Sequence, residues 1–261
     1  MAGKGIIQFP SLMKKAPLFA ALLAIAFVST GPAAQAADAC DFSAKARELE
    51  ALQAAGALRV TSQRFQTELI LRRELLAAAI ACDQKDITAR REVLELLPPA
   101  AKSLSAYQEL IKGLEKAAEH YEGQAVGVQD LGLQGTKNAS RALGAWRRDA
   151  YVPLGAWADN LILWADNQQF LERGSERLGQ VSRLAFSLKL VDQDKTDEGI
   201  KKAQASFDAA FSENNKAREA LNKGPAANVE ALEHIKASLQ ALSDTYHTFF
   251  ELQGILQRIV K

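Results

Sequence analysis

Trp157-Ala-Asp-Asn-Leu-Ile-Leu163 runs directly into Trp164-Ala-Asp-Asn167, and this repeat decides the fold. Seven residues make two helical turns, so steps of seven place Trp157, Trp164, Leu171, Leu178 and Ala185 on one seam. Asn160 and Asn167 stand three residues beyond their tryptophans, at the other core-facing heptad position. Upstream, Leu143-Gly-Ala-Trp146 recurs as Leu154-Gly-Ala-Trp157, about three turns later. The three tryptophans therefore share a face if the helix runs through Pro153. Such a seam can line an aromatic, amide-rich ligand slot. It can also be coiled-coil packing, with Asn fixing register at some cost in stability. Packing is the expected use.

Outward from the repeat the same periodicity continues. Leu104, Tyr107, Ile111, Leu114, Ala118 and Tyr121 form one stripe; Ile200, Ala203, Phe207, Ala210, Ala217 and Leu221 form a second. Leu232, Ile235, Leu239, Leu242, Tyr246, Phe249, Leu256 and Val260 form a third. These spacings of three and four are helical, and no stretch alternates long enough to read as a strand. Asp86 and Asn228 suit helix starts, and Gly224-Pro225 is a stop signal. The spacing predicts helices over 41–83, 86–97, 99–122, 138–151, 153–191, 196–223 and 228–260. The expected class is all-α, an elongated antiparallel helical bundle. Gly123, Gly127, Gly132 and Gly135 mark residues 123–137 as the linker between two halves. The Gly-Thr-Lys137 ending lacks the order of a phosphate-binding loop.

The first 36 residues read as an address. Lys4, Lys14 and Lys15 precede an apolar run over Ala16–Val28, and Ala34-Gln35-Ala36 offers a cleavage site. This is the form of a secretory signal peptide. Its apolar core is shorter than the roughly 20 residues a bilayer span needs. The chain from Ala37 is expected to be soluble and periplasmic, with no membrane span after cleavage. Formal net charge is +1 over 261 residues, and without the three leader lysines the remainder is slightly acidic. That balance gives no footprint for nucleic acid. Both methionines, Met1 and Met13, fall in the leader, which excludes a Met-ligated haem or copper site.

The first helix carries Ala55-Gly-Ala-Leu-Arg-Val-Thr-Ser-Gln-Arg-Phe65. The pattern A-G-x-L-R-x-x-S-x-R resembles the signature of periplasmic sensor domains of nitrate/nitrite sensor kinases. Through Gly56, Arg59, Ser62, Gln63 and Arg64 it also resembles the N-terminal domain of type IV pilus chemotaxis transducers, with Val60-Thr61 in place of Met-Leu. A weaker copy follows at Gly174-Ser-Glu-Arg177, where Gly174 and Arg177 align with Gly56 and Arg59. The resemblance implies tandem domains, a first sensor-like unit over 37–122 and a second over 138–261. It further implies that Arg59 contacts a small anion while Gly56 allows close approach. Arg177 and Gly174 would supply the other half of a pseudo-dimer, and Ser62 lies beside the site. A guanidinium fork suits a flat oxyanion such as nitrate. The plainer reading makes the glycine a packing notch and the arginine a solvated charge. Arg64, Arg72 and Arg73 read as surface charges, paired along the helix with Glu68 and Glu74.

The resemblance also implies one straight helix over 41–83. Cys40 and Cys82 would then lie about 60 Å apart, against the roughly 7 Å limit between Cα atoms for a disulfide. No bond between them is expected within the chain; an intermolecular one stays open. Asp244, His247 and Glu251 share a helix face, but no Glu-x-x-His pair exists to build a carboxylate-bridged metal site. A solvated polar face is the expected role. With no nucleophile constellation and no haem motif, the expectation is a non-enzyme without cofactor. The leading function is a sensor-type module that binds a small ligand and signals through a periplasmic or membrane-embedded partner protein. The competing one is a structural adaptor that binds a partner helix through its heptad faces.

Overall fold

The structure, a computed structural model, describes residues 40–54, 62–187 and 193–259. The described residues are almost all helical and contain no strand, so the chain is all-α. The expected signal peptide, and Gly56 and Arg59 of the expected anion site, lie outside them. In chain order the helices are α1 (Ser43–Ala54), α2 (Ser62–Glu95), a single turn α3 (Pro99–Lys102), α4 (Ser105–Ala125) and α5 (Leu133–Trp146). A π turn, Arg147–Tyr151, leads straight into α6 (Val152–Ser187); α7 (Gln193–Leu221) and α8 (Asn228–Ile259) complete the fold.

Two expectations fail at the N-terminal end. The first helix is not continuous over 41–83. Cys40 and Cys82 are joined in a disulfide with Cα atoms 5.6 Å apart. Lys45 Nζ meets Glu74 Oε2 at 2.6 Å, and the Arg64 guanidinium donates to the Leu52 carbonyl at 2.6 Å. These contacts pair low numbers with high ones, so the chain reverses direction between Ala54 and Ser62 and α1 lies antiparallel to α2. The second failure is the expected break near Asp83. Helix α2 runs through Asp83 and Asp86 to Glu95, and Asp86 is no cap. Both acids are held by side chains of other helices, so neither is left to compete for the backbone as Asp does at helix ends.

The heptad seam is packed from within the chain. Trp157, Trp164, Leu171 and Leu178 are all buried. Their partners are α7 and α8, which pair along most of their length. On α7, Thr196, Ala203, Ala210 and Ala217 recur every seven residues and are all buried. Small side chains at these positions let the helices close in. On α8 the buried heptad is Ala231, Ser238, Thr245 and Leu252, with Ile235 and Leu242 beside it. The larger Leu232, Leu239 and Tyr246 are only half-buried. The main buried cluster runs from Leu76, Ile80 and Ile87 of α2 through Leu110 and Leu114 of α4 to Leu161, Leu221 and Ile235. It thus draws on both sides of residues 123–137, where Val128–Asp130 forms a 3-10 turn after Gly127 at φ 84°.

The helix does run through Pro153. Proline brings no N–H and crowds the carbonyl four residues back, here that of Asp149. Asp149 lies within the π turn Arg147–Tyr151, whose wider loop is where such a misfit is absorbed. At the α7–α8 turn, Gly224 takes φ 86°, a left-handed value that glycine alone adopts at no steric cost. Asn228, expected as a cap, donates its Nδ2 to the Pro153 carbonyl at 2.7 Å and so ties this turn to α6.

Two glycines of α6 give a paired test of the packing. A Cβ at Gly174 would meet Leu242 Cδ1 and Phe207 Cε2 at 3.1 Å, whereas one at Gly179 meets nothing within 4 Å. Gly179→Ala should raise stability by up to about 1 kcal/mol through helix propensity. Gly174→Val should lower it by about 1–3 kcal/mol through overpacking. Urea melts of the two variants beside the parent check both signs.

Candidate functional site

Four of the buried positions of α2 are Ile80, Asp83, Ile87 and Arg90, spaced three and four apart. An acid and a base thus occupy places where the stripe calls for apolar residues. Each is matched by a polar partner from another helix. The Tyr121 hydroxyl of α4 donates to Asp83 Oδ2 at 2.7 Å. The Tyr151 hydroxyl, on the π turn, donates to Asp86 Oδ2. Arg90 is the hub: its Nε donates to Asp86 at 3.0 Å, and its Nη1 donates to the Gly155 carbonyl at 2.9 Å and to the Asp159 carboxylate. Gly155 is needed for the approach, since a Cβ there would sit 3.3 Å from Arg90 Cζ. Arg147, half-exposed, closes the outer side with Nε 3.3 Å from Asp83 Oδ1.

An aromatic wall stands against these groups. Trp146 stacks on His120 at 3.9 Å between centroids and meets Tyr121 edge-on at 5.0 Å. Tyr121 in turn meets Tyr151 edge-on at 5.6 Å. Without the π turn, Trp146 and Tyr151 would present to a different side of the helix, because a wider turn rotates everything before it.

Burial sets the protonation. It raises the Asp83 carboxyl above its ordinary value, against the lowering effects of the Tyr121 hydrogen bond and Arg147. It raises Asp159 too, against the opposing pull of Arg90. Burial alone would lower the Arg90 pKa, but Asp159 and Asp86 outweigh it and the net direction is up. Burial, then Asp83 and Asp86, push Tyr121 and Tyr151 far above the phenol range, so both hydroxyls stay donors. The site is a closed ion and hydrogen-bond network whose carboxylates are already engaged. Its chemistry is fastening: it joins α2, α4 and the π turn to the first turns of α6.

The residues singled out by sequence lie elsewhere. Ser62 is exposed as the first residue of α2. Gly174 is buried on α6 against Leu242 and Phe207. Arg177, one turn on, is exposed, and its charge reaches the Tyr246 phenol. Gly174 and Arg177 thus point to different surroundings, while Ser62 belongs to the α1–α2 hairpin. The tryptophan and asparagine positions are filled by packing: Trp157 Nε1 donates to the Leu221 carbonyl and Trp164 Nε1 to the Asn214 carbonyl, both at 3.0 Å. Asn160 Nδ2 donates to the Asn228 carbonyl at 2.9 Å. Asn167 Nδ2 donates to Asn214 Oδ1 at 2.9 Å and to Ser238 Oγ at 2.8 Å. Arg73 donates to the Leu131 carbonyl rather than to a carboxylate, while Arg72 pairs with Glu68 as expected. Asp244, His247 and Glu251 are exposed, and among the described residues no three such side chains gather as metal ligands.

Beside the buried stripe of α2, between α2 and α4, an open groove of about 470 Å³ is lined by Gln84, Thr88, Arg91, Glu92 and Glu95, with Glu122 from α4 opposite. Three carboxylates against one guanidinium repel an oxyanion there. In comparisons with known proteins, the chain matches no family model, no curated protein and no solved structure.

The raised Asp83 pKa has a testable sign. A carboxyl that holds its proton more tightly when folded makes the native state relatively weaker as pH rises from the ordinary carboxylate range through the raised value; acidification restores it. Asp83→Asn keeps an acceptor for Tyr121 and removes this titration. Thermal melts between pH 4 and 7 should show the variant at or above the parent at pH 7. Its melting temperature should also depend less on pH across that window.

Proposed function

We propose that the protein is an exported, non-catalytic, sensor-type helical module. It takes a small planar oxyanion through Arg59 and passes its state to a partner protein. The observation that carries this reading is the Arg90 network. Helix α2 starts three residues after Arg59, and Arg90 fastens the same helix to Asp159 and Gly155 of the long helix. A change at the hairpin end of α2 is thereby handed to the bundle as a rigid displacement rather than lost in side-chain slack.

Further features support parts of the reading. A Cys40–Cys82 bond belongs to an oxidising compartment, which agrees with a leader that directs the chain to the periplasm. The engaged carboxylates around Arg90 favour a structural rather than a catalytic role. The seam of Trp157 and Trp164 is covered by the chain's own α7 and α8, so an adaptor working through those heptad faces would have to open its core. That favours the sensor over the adaptor. Gly174 is filled by Leu242 and Phe207. The second arginine of an anion clamp is therefore better drawn from Arg59 of a second copy than from Arg177.

Thermal unfolding with nitrate, nitrite and chloride tests this. Ligand at about 100 times its Kd stabilises by roughly 2.7 kcal/mol. The expected result is a saturable rise in melting temperature with nitrate or nitrite, unmatched by chloride and lost in Arg59→Ala. Equal shifts with all three anions, or a shift that survives Arg59→Ala, contradict the proposal.

A further inference from the structure

Helix α1 is attached to the molecule differently from every other long helix. None of its residues is buried, and none belongs to either buried cluster. At 12 residues it is below the length at which an isolated helix holds in water. Its half-buried side carries Ser43, Ala46, Leu49 and Leu52, with Phe42 just ahead of the helix. The contacts that place it, Cys40 to Cys82, Lys45 to Glu74 and Leu52 to Arg64, run in antiparallel register along α2.

The Lys45–Glu74 pair is about half exposed at both ends, where an ion pair contributes little. The covalent bond is the strong attachment. Neither of its cysteines is buried in the core.

The covered face of α2 has a matching form. Leu71, Leu75, Ala78 and Cys82 stand at steps of four, three and four, which makes one stripe ending at the disulfide. Leu71 is buried, Leu75 and Ala78 half-buried, and none of them belongs to the main cluster, which begins at Leu76 on the neighbouring face. The register of the three contacts between α1 and α2 lays α1 along this stripe.

We propose that α1 is a redox-released strap. Reduction of Cys40–Cys82 detaches residues 40–54 from α2 and bares the Leu71–Leu75–Ala78 stripe, while the bundle built on the neighbouring face of α2 stays folded. The reductant is a dithiol. One of its thiolates attacks a sulfur of the pair and releases the other cysteine as a thiolate, which takes up a proton. The second dithiol sulfur then resolves the mixed disulfide. Two electrons and two protons end on Cys40 and Cys82, and the dithiol leaves as a disulfide. This inference is independent of whether Arg59 binds an anion.

Hydrogen exchange read by mass spectrometry, on the full chain with and without dithiothreitol, tests it. Alkylation confirms that both thiols are free in the reduced sample. The expected result is an increase in exchange of about tenfold or more over residues 40–54, extending to the part of α2 beside them, with no change over 83–259. The double variant Cys40→Ser, Cys82→Ser should show the same pattern without reductant. Unchanged protection of α1 in the reduced protein overturns the proposal, and so does loss of protection across the whole chain. The reduced parent protein decides the matter even if the double variant does not accumulate.

Discussion

A guanidinium buried between two carboxylates and a carbonyl is the constraint on which this structure turns. Arg90 is 7% exposed and binds Asp86 on its own helix, and Asp159 and Gly155 on α6. A charge placed so deep is tolerated only when its partners are held in place, and removing one partner leaves the other buried and uncompensated. The positions of those partners then dictate much else. Gly155 has to lack a side chain. Asp86 has to receive Tyr151, which requires the π turn, and the π turn is also what lets the helix continue through Pro153. Tyr121 on Asp83 brings α4 into the same arrangement.

Beyond the network, α6, α7 and α8 form a three-helix coil with an unusually polar interior. Asn167, Asn214 and Ser238 are fully buried in one layer, where Ser238 Oγ also donates to the Ala210 carbonyl at 2.7 Å. Asn167 Oδ1 and Asn214 Nδ2 have no hydrogen-bond partner among the described residues. A layer of this kind costs stability and fixes register, since any slip would set more amides against apolar side chains. The indole N–H groups of Trp157 and Trp164 act the same way, because each reaches one backbone carbonyl of α7. The buried layer within the coil and the tie from Arg90 to α6 join these helices through specific hydrogen bonds, a property the proposed sensor role depends on.

The helical class and the Trp–Asn seam were legible in the sequence because period seven survives any tertiary context. The tie between α2 and α6 was not. Asp83 reads locally as a helix break and Asp86 as a cap, since Asp favours both. Only Tyr121, 38 residues away, and Tyr151, 65 residues away, turn them into interior groups. The signal available was an acid and a base, Asp83 and Arg90, lying in phase with Ile80 and Ile87. The disulfide is hidden for a related reason. A motif associated with one long helix points away from the pairing of two cysteines that an oxidising compartment favours. On α8 the legible stripe reaches the core at Ile235 and Leu242, and the part it leaves out is Ala231, Ser238 and Thr245, small side chains that close helix contact selects over larger leucines.

The account stands on coupling between α2 and α6 through one ion pair, and a double-mutant cycle measures that coupling directly. Arg90→Met, Asp159→Asn and the double variant, compared with the parent by urea unfolding, isolate the pair from the rest of the network. The account predicts a coupling energy of about 2 kcal/mol, with Arg90→Met the more damaging single change because it strands Asp86 as well. Additive effects, with coupling within about 0.5 kcal/mol of zero, would contradict the claim that this buried guanidinium joins the two helices.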